Sequence, residues 1–156
     1  MKSLTTHVLP FLLLGVVFAV VGGAVAYSVM ASQKLPDGPF AVVWDKAACS
    51  ACGMHVGEPG YAAQILTKDG REHAFDDPGC LFVWVAEQHP EVHSAFFHHR
   101  SEDRWIAMDK VGFAPAEKTP MGFGIAAVDA GTKGAIGADE ARRRCTETAA
   151  GHGGNR

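Results

Sequence analysis

The segment YAAQILTKDGREHAFDDPGCLFVWVAEQHP, residues 61–90, specifies most of the architecture of this chain. Its short apolar stretches at 61–66 and 73–75 flank the sequence Lys-Asp-Gly-Arg at 68–71. An Asp-Gly pair supplies the positive backbone angles that a tight hairpin turn needs. We therefore expect two antiparallel strands joined by this turn.

A helix should follow the hairpin directly. Asp77 is a good N-cap, Pro78 fits the first helical position, and the apolar run behind them ends at His89-Pro90. Because this helix has few polar residues, it should be buried on a sheet. Residues 92–97 form a further apolar segment, so residues 61–99 predict a ββαβ unit.

A fainter copy of this order follows along the chain. Residues 104–108 and 122–128 resemble strands and residues 139–148 resemble a helix, but a last strand is missing. Residues 40–44, FAVVW, resemble a strand at the start of the domain. The predicted fold class is therefore α+β, with one or two small ββαβ units.

The N-terminal segment has a different character. Residues 8–30 carry no charge, and a helix rising about 1.5 Å per residue would cross a bilayer over this length. We expect a signal anchor or single transmembrane helix over residues 1–31; cleavage after Ala24-Val25-Ala26 is the alternative. Lys2 precedes the run, which favours an inner-membrane, single-pass protein with its soluble domain in the periplasm or another extracytoplasmic space.

The remaining boundaries follow from composition. Residues 32–39 are polar and rich in turn formers, which predicts a linker, and residues 40–150 should form the folded domain. Residues 151–156 are rich in glycine and predict a mobile tail.

Charge and motif content exclude several functions. The net charge of −3 gives no basic surface for nucleic acid. The chain contains no Ser-His-Asp arrangement in its usual context, no phosphate-binding glycine loop and no HExxH helix. We therefore expect a protein that is not an enzyme.

The stretch Cys49-Ser-Ala-Cys52-Gly-Met54-His55 gathers two thiols, a thioether and an imidazole. Soft thiolate and thioether donors select copper(I), whereas zinc sites make little use of a thioether. The stretch therefore favours copper(I). A local disulfide, with Met54 as core filler, is the alternative.

Further candidate ligands lie elsewhere in the chain. Met121 stands between Pro120 and Gly122, in a turn where a core side chain is not expected. Cys80 near the helix start could add a third thiolate, but a packed core position is the commoner role there. His55 could join after oxidation of the metal, and Cys145 has no ligand-type neighbour at helical spacing.

Four motifs occur in order along the chain: Cys49-x-x-Cys52-Gly-Met54, Tyr61-Ala-Ala-Gln64, Phe75-Asp-Asp-Pro-Gly-Cys80 and Thr119-Pro-Met-Gly-Phe-Gly124. Together they resemble the NosL family, the copper-binding accessory proteins of nitrous oxide reductase.

The resemblance implies a copper(I) chaperone built of repeated ββαβ units that delivers copper to an assembling metalloenzyme or its assembly proteins. Carried over residue by residue, it implies Cys49, Cys52, Met54 and Met121 as the metal ligands.

Two other functions remain open from the residues alone. A thiol–disulfide oxidoreductase would use Cys49 and Cys52, although such motifs usually open a helix within a βαβ pattern. A structural zinc module would use Cys49, Cys52, Cys80 and one histidine.

Overall fold

The structure, a computed structural model, describes residues 2–32 and 34–153, with side chains over 12–28 and 34–151. The chain divides into two compact units, Met1–Leu35 and Pro36–Arg156. The first unit contains helix α1, Lys2–Ser32.

In the part of the chain that the structure describes, no helix has both the length and the apolar character needed to cross a bilayer. The transmembrane helix expected over residues 1–31, on the uncharged run 8–30, is therefore not supported. Residues 8–11 and 29–30 of that run have side chains outside the described set.

The second unit has the α+β architecture that the sequence predicts. The predicted hairpin, buried helix and third strand are all present. They are β1 Ala63–Thr67, β2 Glu72–Phe75, α2 Pro78–Gln88 and β3 Val92–His98, followed by β4 Trp105–Ala107. The four strands form an antiparallel sheet in the order β2-β1-β3-β4, in which Ala63 of β1 faces Phe75 and Phe97.

The C-terminal part differs from the expected second ββαβ unit. Strand β5, Val111–Pro115, pairs antiparallel with β6, Ile125–Asp129, and α3, Ala138–Gly153, follows. The expected strand at 104–108 is β4, which pairs with β3 and so completes the first sheet. Strand β5 was not predicted from the sequence, because its residues, VGFAP, include a glycine and a proline, which are typical of loops.

Two predicted elements have different ends in the structure. The strand expected at 122–128 begins only at Ile125, because Gly122 and Gly124 have φ values of +77° and +71° and belong to a turn. Helix α3 continues to Gly153, beyond the expected end at residue 148. Residues 154–156 of the expected tail lie outside the described residues.

Residues 40–44 form no strand, contrary to the sequence prediction. The side chain of Gln64 satisfies the backbone of Phe40 instead. The Phe40 N–H donates to Gln64 Oε1 at 2.8 Å, and Gln64 Nε2 donates to the Phe40 carbonyl at 3.2 Å. A buried amide therefore fixes this segment to β1 without extending the sheet.

Three aromatic rings join the two sheets to α2. Phe82 of α2, Phe97 of β3 and Phe113 of β5 are fully buried, and their ring centroids are 5.0–5.6 Å apart. Rings at these separations attract one another beyond the effect of area burial alone. The contact packs α2, whose first turn carries Cys80, against both sheets.

Candidate metal centre

Cys49 and Cys52 lie in a tight turn that is closed by backbone hydrogen bonds. The Cys49 N–H donates to the Met54 carbonyl at 2.7 Å, and the Gly53 N–H donates to the Cys49 carbonyl at 2.8 Å. Gly53 has a φ of +77°, a conformation that glycine adopts without steric cost. The glycine therefore permits the turn that directs both thiols to one side of the loop.

Strand β2 and helix α2 bring Cys80 to this turn. The Ser50 N–H donates to the Ala74 carbonyl at 2.9 Å, which attaches the turn to β2. The chain then enters α2, where Cys80 is the third residue. Asp77 caps the helix as predicted, because its Oδ1 accepts from the Gly79 N–H at 2.9 Å.

The sulfur atoms of Cys49, Cys52 and Cys80 all lie within 4.8 Å of one another, and we call these residues the thiol group. All three are free thiols; Cys49 and Cys80 are buried and Cys52 is exposed. Three sulfurs bound in a plane at about 2.3 Å from one ion would be about 4.0 Å apart. The limit of 4.8 Å therefore puts the three sulfurs near the separation that a shared metal ion requires.

Hydrogen bonding and burial give the three thiols of the group different pKa values. The hydrogen bond with the Cys80 thiol lowers the pKa of Cys49 to about 5, although burial opposes this effect. The same hydrogen bond, together with burial, raises the pKa of Cys80, and burial raises the pKa of Cys52. Cys49 is therefore the thiolate at neutral pH, and a metal would displace protons from the other two.

Two carboxyl groups lie beside the thiol group and bind backbone N–H groups. Asp76 Oδ1 accepts from the Gly57 N–H at 3.2 Å, and Asp77 Oδ2 accepts from the Met121 N–H at 3.1 Å. Burial raises the pKa of both carboxyl groups. Among the residues the structure describes, no carboxylate oxygen joins the thiol group, so its donors are all soft.

The two methionines predicted as ligands lie at the protein surface. Met54 is 47% exposed and follows Cys52 in the same turn, and Met121 is 39% exposed. The hydrogen bond from the Met121 N–H to Asp77 brings its loop to the end of α2 that carries Cys80. The structure thus joins Cys49 and Cys52 in one group and puts both methionine loops beside it; ligation by the thioethers stays a prediction.

Of the other candidate ligands, one belongs to the thiol group and two do not. Cys80, for which the sequence favoured a core role, is both buried and a member of the thiol group. Its position in the first turn after Asp-Asp-Pro-Gly was the available signal. His55 is exposed and Cys145 is buried in α3, and neither belongs to the group.

Comparison with known proteins identifies the family. A search of curated proteins and a search of solved structures gave no match. A model of the NosL family matches residues 40–152, a range that contains the whole thiol group and both methionine loops. The chain therefore belongs to the NosL family.

Proposed function

We propose that this protein binds copper(I) through Cys49, Cys52 and Cys80, and that the thioethers of Met54 and Met121 complete or exchange with this set. The observation that carries the proposal is the convergence of three free thiols within 4.8 Å in a member of the NosL family. Copper(I) is the cargo of the site.

The donor set favours copper(I) over zinc. Thiolates and thioethers are soft ligands that select copper(I), whereas zinc commonly adds histidine or carboxylate. The nearby carboxylates of Asp76 and Asp77 accept hydrogen bonds from backbone N–H groups, and the exposed His55 is outside the thiol group. Both oxygens of Asp77 accept hydrogen bonds from the chain, and among the described residues no carboxylate or histidine joins the thiol group.

The exposure of the sulfur atoms supports a role in metal transfer. Cys49 and Cys80 are buried, whereas Cys52 and the two methionines are accessible from solvent. A partner protein could replace the exposed ligands first, so that copper(I) never becomes free. We propose that the recipient is an assembling metalloenzyme, nitrous oxide reductase being the candidate, or one of its assembly proteins, and that the protein itself is not an enzyme.

The extracytoplasmic location remains part of the proposal. It rests on the uncharged run at residues 8–30 and on Lys2 before it. In such a compartment thiols are oxidised unless they are protected. Bound copper(I) would provide this protection for the thiol group.

A thiol–disulfide oxidoreductase fits the site less well. Cys49 and Cys52 lie in a turn and not at the start of a helix, and a third thiol hydrogen-bonds to Cys49. Redox motifs of the CxxC type owe their reactivity to an accessible low-pKa thiolate. Here the thiol with the lowered pKa, Cys49, is only 2% exposed.

Anaerobic titration of the reduced full-length protein with copper(I), against a chelator of known affinity, tests the proposal. Cys49→Ser and Cys52→Ser should abolish tight binding, because serine oxygen is a poor ligand for a soft ion. Cys145→Ala should bind as the wild type does. X-ray absorption at the copper edge should count at least three sulfur neighbours, and equal affinity in all four proteins would refute the assignment.

A further inference from the structure

Two loops that carry methionine meet the N-terminal end of α2, and adjacent carboxylates bind one loop each. Asp76 accepts from the Gly57 N–H, in the loop that carries Met54. Asp77 accepts from the Met121 N–H itself. The start of the helix is thus the common attachment point of both loops.

The two oxygens of Asp77 accept hydrogen bonds from different parts of the chain. Oδ1 accepts from the Gly79 N–H at 2.9 Å and so caps α2, whereas Oδ2 accepts from the Met121 N–H at 3.1 Å. The cap therefore accounts for only one of the oxygens.

The hydrogen bond from the Met121 N–H to Asp77 is important because Asp77 is buried. Asp77 is 0% exposed, and a buried carboxylate is costly unless its oxygens are well hydrogen-bonded. Serine or asparagine would cap the helix about as well without a charge. What a neutral cap would lack is an acceptor oxygen for the loop of Met121.

Phe123 restricts the same loop from the other side. A Cβ atom built on Gly79 would lie 2.1 Å from Phe123 Cγ, so the ring packs directly against the helix backbone at that position. The loop is therefore held at its backbone by Asp77 and at an aromatic ring by Gly79. Met121 is itself the first of these attachments, and Phe123 follows it by two residues.

We infer that Asp77 is a positioning residue of the metal site, which holds the Met121 thioether over the thiol group while it caps the helix that carries Cys80. The inference rests on the proposed copper(I) binding and names the residue that joins the thioether loop to the three thiols. In metal sites, groups that orient the ligands typically contribute about 10–100-fold to affinity.

Asp77→Asn separates the two tasks. Asparagine keeps Oδ1 as the cap acceptor but puts an N–H₂ donor where Oδ2 accepts from the Met121 N–H. The full-length variant should remain folded with a lower unfolding temperature, because the Met121 N–H loses its acceptor. It should bind copper(I) about tenfold more weakly and show one sulfur neighbour fewer by X-ray absorption. Asp109→Asn is the matched control, because it removes one negative charge at an exposed position.

A double-mutant cycle with Met121→Leu distinguishes positioning from a general structural effect. If Asp77 acts through Met121, Asp77→Asn should cause no further loss of copper(I) affinity in the Met121→Leu background. An equal loss in both backgrounds would overturn the inference. Asp77→Ser, which caps the helix with a single oxygen, should behave like Asp77→Asn and gives the same test should asparagine disturb folding.

The outcomes also separate this inference from the proposed function. If Met121→Leu binds copper(I) as the wild type does while Cys49→Ser does not bind it, the positioning role is overturned and the three-thiol site stands. If Cys49→Ser binds normally, the proposed site itself fails.

Discussion

Replacement of Cys80 by alanine tests whether the buried thiol belongs to the metal site. Cys80 is 3% exposed, and removal of its sulfur leaves a small cavity, which should lower the free energy of unfolding by about 1 kcal/mol. Cys145 in α3 is 1% exposed and outside the thiol group. Cys145→Ala is therefore a matched control that removes the same atom from another part of the core.

In the metal-free protein, Cys80→Ala should change the pKa of Cys49. The hydrogen bond with Cys80 is the largest cause of the lowered pKa of Cys49, so in Cys80→Ala that pKa should rise from about 5 toward 9.0. At pH 7 the thiolate fraction of Cys49 should then fall. Thiolate absorbance in the ultraviolet, followed from about pH 4 to about pH 10, measures this change.

The sign of the accompanying stability change follows from linkage. A thiol with a lowered pKa in the folded state stabilises the fold fully above its ordinary pKa, and this contribution is lost as the pH falls through the folded value, about 5 for Cys49. The difference in unfolding free energy between the wild type and Cys80→Ala should therefore shrink as the pH falls from 7 toward about 5.

The copper-loaded protein supplies the decisive measurement. Loss of a directly bound sulfur should cost more than loss of an outer hydrogen bond, so copper(I) affinity in Cys80→Ala should fall by more than about 100-fold. The copper edge should show one sulfur neighbour fewer. If Cys80→Ala and Cys145→Ala have equal copper(I) affinity and the pKa of Cys49 stays near 5, Cys80 is a core residue and the reasoning is refuted.

Two further predictions concern the thioether and the location. Met54→Leu should weaken copper(I) binding more than zinc binding, because leucine keeps the apolar volume and removes the soft sulfur; parallel titrations with both metals measure this, and equal losses would show that the thioether is not a ligand. Alkaline phosphatase fused after residue 156 should be active in cells, because the enzyme requires an oxidising extracytoplasmic compartment for its disulfides; an inactive fusion that is present at normal abundance would contradict the proposed location.

Much of the first sheet could be predicted because its signals are local. The Asp69-Gly70 turn, the Asp77 cap and Pro78 at the first helical position each act within a few residues. The observed hairpin and α2 follow these signals closely.

The errors in the C-terminal part concern which strands pair and where each strand begins. Residues 105–107 pair with β3, and β5 pairs with β6 across the turn formed by Gly122 and Gly124. Local composition does not indicate which strand pairs with which. The expected second ββαβ unit therefore became a two-stranded sheet with one helix.

The amino-acid sequence by itself determined the kinds of ligand available, since thiols and thioethers select soft metals wherever the chain places them. Only the tertiary structure decided that Cys80 joins Cys49 and Cys52. Packing of α2 against both sheets and the attachment of the cysteine turn to β2 bring these sulfurs together. Such convergence depends on contacts between residues that are distant along the chain, which no local pattern encodes.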